Sequence, residues 1–128
     1  MGIAVLGAGA WGTALAIRLA GHADVGLWTR SPEHARAMAA DQENRRYLPG
    51  IALPSTLTPG SDLSSAIRGA DLLVAGVPSN GFRPLLQTLR DLGATQPLVW
   101  LCKGLETGSR KLPHEVLAET WPDHPPAA

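Results

Sequence analysis

Ile3-Ala-Val-Leu6 is an unbroken apolar run that stops at a cluster of glycines, the pattern of a strand buried on both faces that then turns sharply. Trp11 to Ala20 is mostly alanine and leucine, with Trp11, Leu15 and Leu19 spaced four apart. That spacing predicts a helix, apolar on most sides, packed on a sheet and stopped by Gly21. Val25 to Thr29 predicts a second strand. Ser31-Pro32-Glu33 then carries three helix-start signals, a hydroxyl cap, a proline at the first position and an acid in the first turn, for a helix to about Asp41. Pro49, Gly50, Pro54, Pro59 and Gly60 interrupt the stretch from Asn44 to Gly60, which reads as a loop or extended excursion. Ser61 can cap a short helix through Ile67, and Asp71 to Val77 is a strand ended by Pro78. Apolar residues at 82, 85, 86, 89 and 92 predict a helix, Leu98 to Cys102 a further buried strand, and 112–120 a last helix after the loop 103–111.

Strands alternating with helices in this way imply an α/β fold, a doubly wound parallel sheet with right-handed crossovers and helices on both faces. A length of 128 residues suits one such domain. We place it at residues 1–120, with the proline-rich 121–128 as a frayed tail or the start of a linker.

A hydrophobic share of 45% against 17% charged is that of a soluble globular chain. Eleven basic residues cancel eleven acidic ones, with no run of like charge, so neither a nucleic-acid footprint nor an anionic-membrane patch is expected. Gly2 to Ala20 has no basic leader and contains Arg18, which argues against a signal peptide or a membrane span. The lone Cys102 excludes an internal disulfide and, within an apolar strand, reads as a small buried hydrophobe, so the cytoplasm is the expected compartment. His22, His34, His114 and His124 lack metal-site spacing, and no metal is expected. Trp28 and Trp100 are read as core; Phe82 is read either as core or as a ring flanking a cofactor.

Gly7-Ala-Gly-Ala-Trp-Gly12 is a GxGxxG between a predicted strand and a predicted helix. Gly7 permits the tight turn, Gly9 lets the backbone approach a pyrophosphate, and Gly12 lets helix and strand pack closely. The free N–H groups of the first helical turn, at the positive end of the helix dipole, would face the phosphates. At the end of the second strand, where an NAD-selective fold carries an acid, the chain has Thr29-Arg30-Ser31. Arg30 can bond a 2′-phosphate, which favours NADPH over NADH; its alternative is a solvated surface arginine. His34, one turn into the helix, can assist or simply face solvent.

Gly7-Ala-Gly-Ala-Trp-Gly-Thr-Ala-Leu-Ala16, Leu27-Trp-Thr-Arg30, Asn44-Arg-Arg-Tyr-Leu-Pro-Gly50, Val77-Pro-Ser79 and Cys102-Lys-Gly-Leu-Glu106 together resemble the N-terminal half of bacterial NAD(P)-dependent glycerol-3-phosphate dehydrogenase. The resemblance implies hydride transfer between NAD(P)H and dihydroxyacetone phosphate to give sn-glycerol 3-phosphate for phospholipid synthesis. It implies cofactor contacts from Ala10, Trp11 and Arg30, Tyr47 near the cofactor, a turn at Pro78 and Ser79 that passes beside it, and Lys103 reaching both cofactor and substrate. A lysine at the carboxyl end of a parallel strand also lies where ligands of open α/β sheets bind, and can stabilise charge on a carbonyl oxygen or hold a phosphate. The alternative for Lys103 is a loop cation that serves solubility. The family's Gly-Pro-Ser/Thr-Phe-Ala segment and its helical C-terminal domain, with the catalytic lysine and any homodimer surface, are absent from this chain. No catalytic proton donor is therefore expected here, and the chain is expected to bind cofactor with little or no turnover. The competing readings are another two-domain NADP-dependent reductase, such as a ketopantoate or 6-phosphogluconate type, and a non-catalytic nucleotide-sensing module.

Overall fold

The computed structural model describes residues 1–128, and its main sheet changes winding direction at the first strand. In chain order the elements are β1 (Gly2–Leu6), α1 (Ala10–Leu19), β2 (Asp24–Trp28), α2 (Pro32–Asp41), β3 (Glu43–Asn44), β4 (Leu48–Ala52), β5 (Leu57–Gly60), α3 (Leu63–Arg68), β6 (Leu72–Ala75), α4 (Ser79–Asp91), β7 (Leu98–Trp100) and α5 (Pro113–Thr120). The five-stranded sheet runs β5-β2-β1-β6-β7, all parallel. The chain winds outward from β1 to β2 and β5, then returns across the sheet to β6 and winds outward the other way to β7. This is the doubly wound arrangement expected, with its switch point between β1 and β6.

Alternate residues of the central strands feed two cores. Ala4, Leu6, Leu73 and Ala75 pack with Phe82, Leu85, Leu86 and Leu89 of α4 and with Val116 and Leu117 of α5. Ile3, Val5, Val25, Leu27 and Val74 face the other way, onto Ala16 and Ala20 of the first helical segment and Met38 of α2. A strand covered on both faces has no polar side to show, which is why β1 and β6 read as continuous apolar runs. Each fully buried leucine contributes about 1.5–3 kcal/mol relative to an exposed one.

Three expectations are revised. The stretch 44–60 is not simply irregular: β3 and β4 form a small antiparallel hairpin, and β5 joins the main sheet as its outer strand beside β2. Pro59 sits in β5, and an edge strand is the place in a sheet that tolerates the missing donor. Asp62, not Ser61, caps α3, accepting from the Ser65 N–H; the Ser65 hydroxyl, which donates to the same carboxylate at 2.8 Å, is the main group that holds its carboxyl below the usual carboxylate range, with the N–H adding to it. Residues 121–128 are not frayed. Trp121 is buried in the first core, and Leu98 N–H donates to the Pro126 carbonyl at 3.0 Å, Trp100 N–H to Ala128 at 3.1 Å and Ala128 N–H to Leu98 at 3.0 Å. The prolines lack donors but keep their carbonyls, and β7 has an open edge that needs partners.

Candidate functional site

The register aligns Gly60, Trp28, Leu6, Ala75 and Trp100 in one row across the carboxyl ends of the five strands. One residue further on, the backbone bonding continues: Thr29 N–H to Gly60, Gly7 N–H to Trp28, Gly76 N–H to Leu6 and Leu101 N–H to Ala75, at 2.8–2.9 Å. The glycine loop, Arg30, the Pro78-Ser79 turn and Lys103 all lie just beyond this row. The crevice outside the carboxyl ends at a switch point is where an open α/β sheet takes its ligand.

At that crevice backbones nearly touch. Gly7 has φ of +125°, and a Cβ on it would lie 2.7–2.9 Å from the backbone of Gly76 and Val77. A Cβ on Gly12 would come within 2.1 Å of the Gly7 carbonyl oxygen. Those two glycines let α1 and β6 close on β1. Gly9 is different, since a Cβ there would meet nothing within 4 Å. The space over Gly9 and the first-turn N–H groups of Ala10, Trp11 and Gly12, which a helix cannot satisfy internally, form an open cradle. Trp11 beside it is 81% exposed.

Arg30 is exposed at the end of β2, and Lys103 is exposed past the end of β7, paired with no carboxylate. Ser79 opens α4 without a side-chain cap bond, and Pro78 is the N-cap residue ahead of it. Tyr47 occupies the turn of the β3–β4 hairpin, 43% exposed, with its ring edge-on to the His34 imidazole at 5.5 Å and the Arg46 guanidinium over its face at 5.2 Å. His34 does not point freely outward: its Nδ1 lies 3.3 Å from the Thr29 hydroxyl and its Nε2 2.9 Å from Asn44 Oδ1. Phe82 is 1% exposed and packs on Trp100 at 5.8 Å, so its role is core. Cys102 is half-buried past the end of β7, and burial pushes its thiol pKa up. No three histidine, cysteine, aspartate or glutamate side chains converge, and no helix is long and apolar enough to cross a membrane.

Two features escaped sequence reasoning. Asn44, quoted above only within a motif, is fully buried and bonded to the glycine loop. Arg83 on α4 binds Glu106 and Glu119, and so ties the loop that carries Lys103 to α4 and α5. Glu106 lay in a quoted motif, whereas nothing in the sequence around Arg83 marks it. Gly76, next to Gly7, was legible in principle as a glycine at a strand end.

A family profile described as NAD-dependent glycerol-3-phosphate dehydrogenase N-terminus matches residues 2–128. The chain belongs to that family. It is 50% identical over 122 residues to the glycerol-3-phosphate dehydrogenase [NAD(P)+] of Nitrosomonas europaea, a match covering 95% of this chain and 37% of that protein. The protein of the same description from Dechloromonas aromatica is 46% identical over 119 residues, covering 93% of this chain and 36% of its own length. Among solved structures, glycerol-3-phosphate dehydrogenase from Coxiella burnetii superposes with a TM-score of 0.85 at 40% identity, over 93% of this chain and 37% of that one. The chain thus spans somewhat over a third of the length of the glycerol-3-phosphate dehydrogenases it matches, and corresponds to their N-terminal part.

Proposed function

We propose that this chain, including the 121–128 segment that packs into its core and onto β7, forms the dinucleotide-binding unit of a glycerol-3-phosphate dehydrogenase acting between NADP(H) or NAD(H) and the pair dihydroxyacetone phosphate and sn-glycerol 3-phosphate. The observation that carries this reading is the open cradle over Gly9, at the switch point of the sheet, in a chain of this family. The pyrophosphate would lie over Gly9 against the N–H groups of Ala10, Trp11 and Gly12, with the helix dipole favouring its charge. Arg30 lies past the end of β2, where the adenosine ribose of such a ligand would end, and between that strand end and Glu33 there is no acid to repel a 2′-phosphate, which supports NADPH as the preferred form.

The nicotinamide would supply or accept the hydride. Lys103, unpaired at the carboxyl end of β7, would stabilise negative charge on the substrate's carbonyl oxygen or hold its phosphate. Pro78 and Ser79 would border the cofactor on the β6 side. A proton donor and a second wall are needed to hold carbonyl and nicotinamide in reacting geometry, and on this reading they would come from the part of the protein that corresponds to the stretch of the relatives this chain does not span. The chain by itself would bind cofactor and turn over little substrate, in a cytoplasmic setting that suits a soluble phosphorylated substrate.

Titrating the chain with NADPH and with NADH while following tryptophan fluorescence tests the reading, because Trp11 stands at the cradle. Saturable quenching by NADPH, weakened in Arg30→Ala, is the expected result. A folded chain that binds neither nucleotide would overturn it.

A further inference from the structure

We propose that Asn44 is a positioning residue that turns the Gly9 N–H outward into the cradle and so prepares it for a phosphate oxygen. The inference deepens the nucleotide-binding reading above and rests on it.

A primary amide offers two N–H donors and an oxygen with two lone pairs. Asn44, on the small hairpin and fully buried, uses all of them. Its Nδ2 donates to the Ala8 carbonyl at 2.9 Å and to the Thr13 hydroxyl at 2.7 Å. Its Oδ1 accepts from the Tyr47 N–H at 3.2 Å and from His34 Nε2 at 2.9 Å. Two of these partners are backbone groups of fixed polarity, so the amide has one orientation. Flipping it would set oxygen against the Ala8 carbonyl and N–H against the Tyr47 N–H. The same logic fixes His34, which must donate from Nε2 and can accept the Thr29 hydroxyl proton at Nδ1.

The consequence lies in the peptide plane between Ala8 and Gly9. In a trans peptide the carbonyl and the N–H point in opposite directions. Drawing the Ala8 carbonyl inward onto Asn44 therefore directs the Gly9 N–H away from the protein. That N–H donates to no protein acceptor, and the space beside Gly9 is open. An unpaired backbone donor held at a loop facing open space is what an anion needs. Because the Asn44 partners come from the glycine loop, α1, α2 and the hairpin turn, one side chain sets the loop, the β2 end and Tyr47 relative to each other.

Asn44→Asp tests this, since it is nearly isosteric and keeps the acceptors for His34 and Tyr47 while removing both donors to Ala8 and Thr13. NADPH titrations of wild type and variant would be followed by the Gly9 amide in 15N–1H spectra, alongside thermal unfolding. We expect wild-type Gly9 to shift strongly on NADPH addition, and Asn44→Asp to weaken binding at least tenfold with that shift lost. A second pair guards against misfolding of the first: His34→Gln, which can still donate to Asn44, should retain the Gly9 response, and His34→Ala should reduce it. A Gly9 amide indifferent to NADPH in a wild type that binds it, or an Asn44→Asp chain that is less stable yet binds with the same Gly9 shift, would overturn the positioning role alone. A folded wild type that does not bind NADPH would overturn the nucleotide reading and this role with it.

Discussion

Arg83 grips Glu106 with two parallel bonds, Nε to Oε2 and Nη2 to Oε1, each 2.9 Å long. The fork joins α4 to the loop three residues beyond Lys103. Ser109 adds a hydroxyl bond to the same carboxylate, Asn80 accepts the Thr107 N–H at 3.0 Å, and Glu119 of α5 binds both Arg83 and Lys111. A loop with positive φ at Gly104, Gly108 and Arg110 has no sheet to hold it, so this polar knot sets its course.

The knot carries a pH signature. The bonds from Arg83 first, then Ser109, lower the Glu106 pKa from 4.5 to about 2. A carboxylate whose folded pKa is depressed contributes stability that is fully present above its unfolded value and is lost as pH falls through the folded one. Wild type should therefore exceed Glu106→Gln in thermal stability at pH 7, with the gap closing as pH falls from 4.5 towards 2. Amides of 103–111 should exchange faster in Glu106→Gln at neutral pH. Equal pH dependence of unfolding in the two proteins would contradict this.

Gly12 and Gly9 of the loop should respond differently to alanine. Gly12→Ala places a Cβ within 2.1 Å of the Gly7 carbonyl, so it should cost about 1–3 kcal/mol of stability through forced backbone shifts. Gly9→Ala meets open space at an ordinary φ of −76°, so its unfolding midpoint should match wild type while NADPH binding fails. Urea melts beside fluorescence titrations read both effects. A Gly9→Ala chain that binds NADPH normally would mean the ligand does not pass over Gly9.

Phe82 provides a test of the core assignment. It is 1% exposed against Trp100, and Phe82→Leu should cost about 1 kcal/mol and leave nucleotide affinity unchanged. A large drop in affinity at retained stability would restore a cofactor role for the ring.

Cys102 should alkylate slowly. Burial raises its pKa above the usual thiol value, which reduces the thiolate present at neutral pH. Its rate with iodoacetamide at pH 7.5 should fall below that of an unstructured cysteine peptide and climb when the chain is unfolded in urea. A folded-state rate equal to the peptide's would show the thiol to be freely accessible.

Much of the framework was readable before the structure because its signals are local. Ile3–Leu6, the glycine loop and Ser31-Pro-Glu33 each carry their own period, turn or cap. The β5 strand was missed because Pro59 and Gly60 are local signals against a strand, and only the outermost place beside β2 makes them acceptable. The tail was misread for the same reason: Pro126 contributes a carbonyl and nothing else, which suffices for an edge. Of the site, the glycines, Arg30 and Lys103 could be placed from strand ends alone. The inward turn of His34 could not, since it depends on Asn44 arriving from another element, and Arg83 became visible only when α4 met the loop after β7.

The β5 margin of the main sheet carries Pro59. A strand from another molecule approaching that margin meets a row of donors broken by an imide nitrogen. The break works against edge-to-edge pairing on the β5 side, beside a sheet centre that is apolar on both faces.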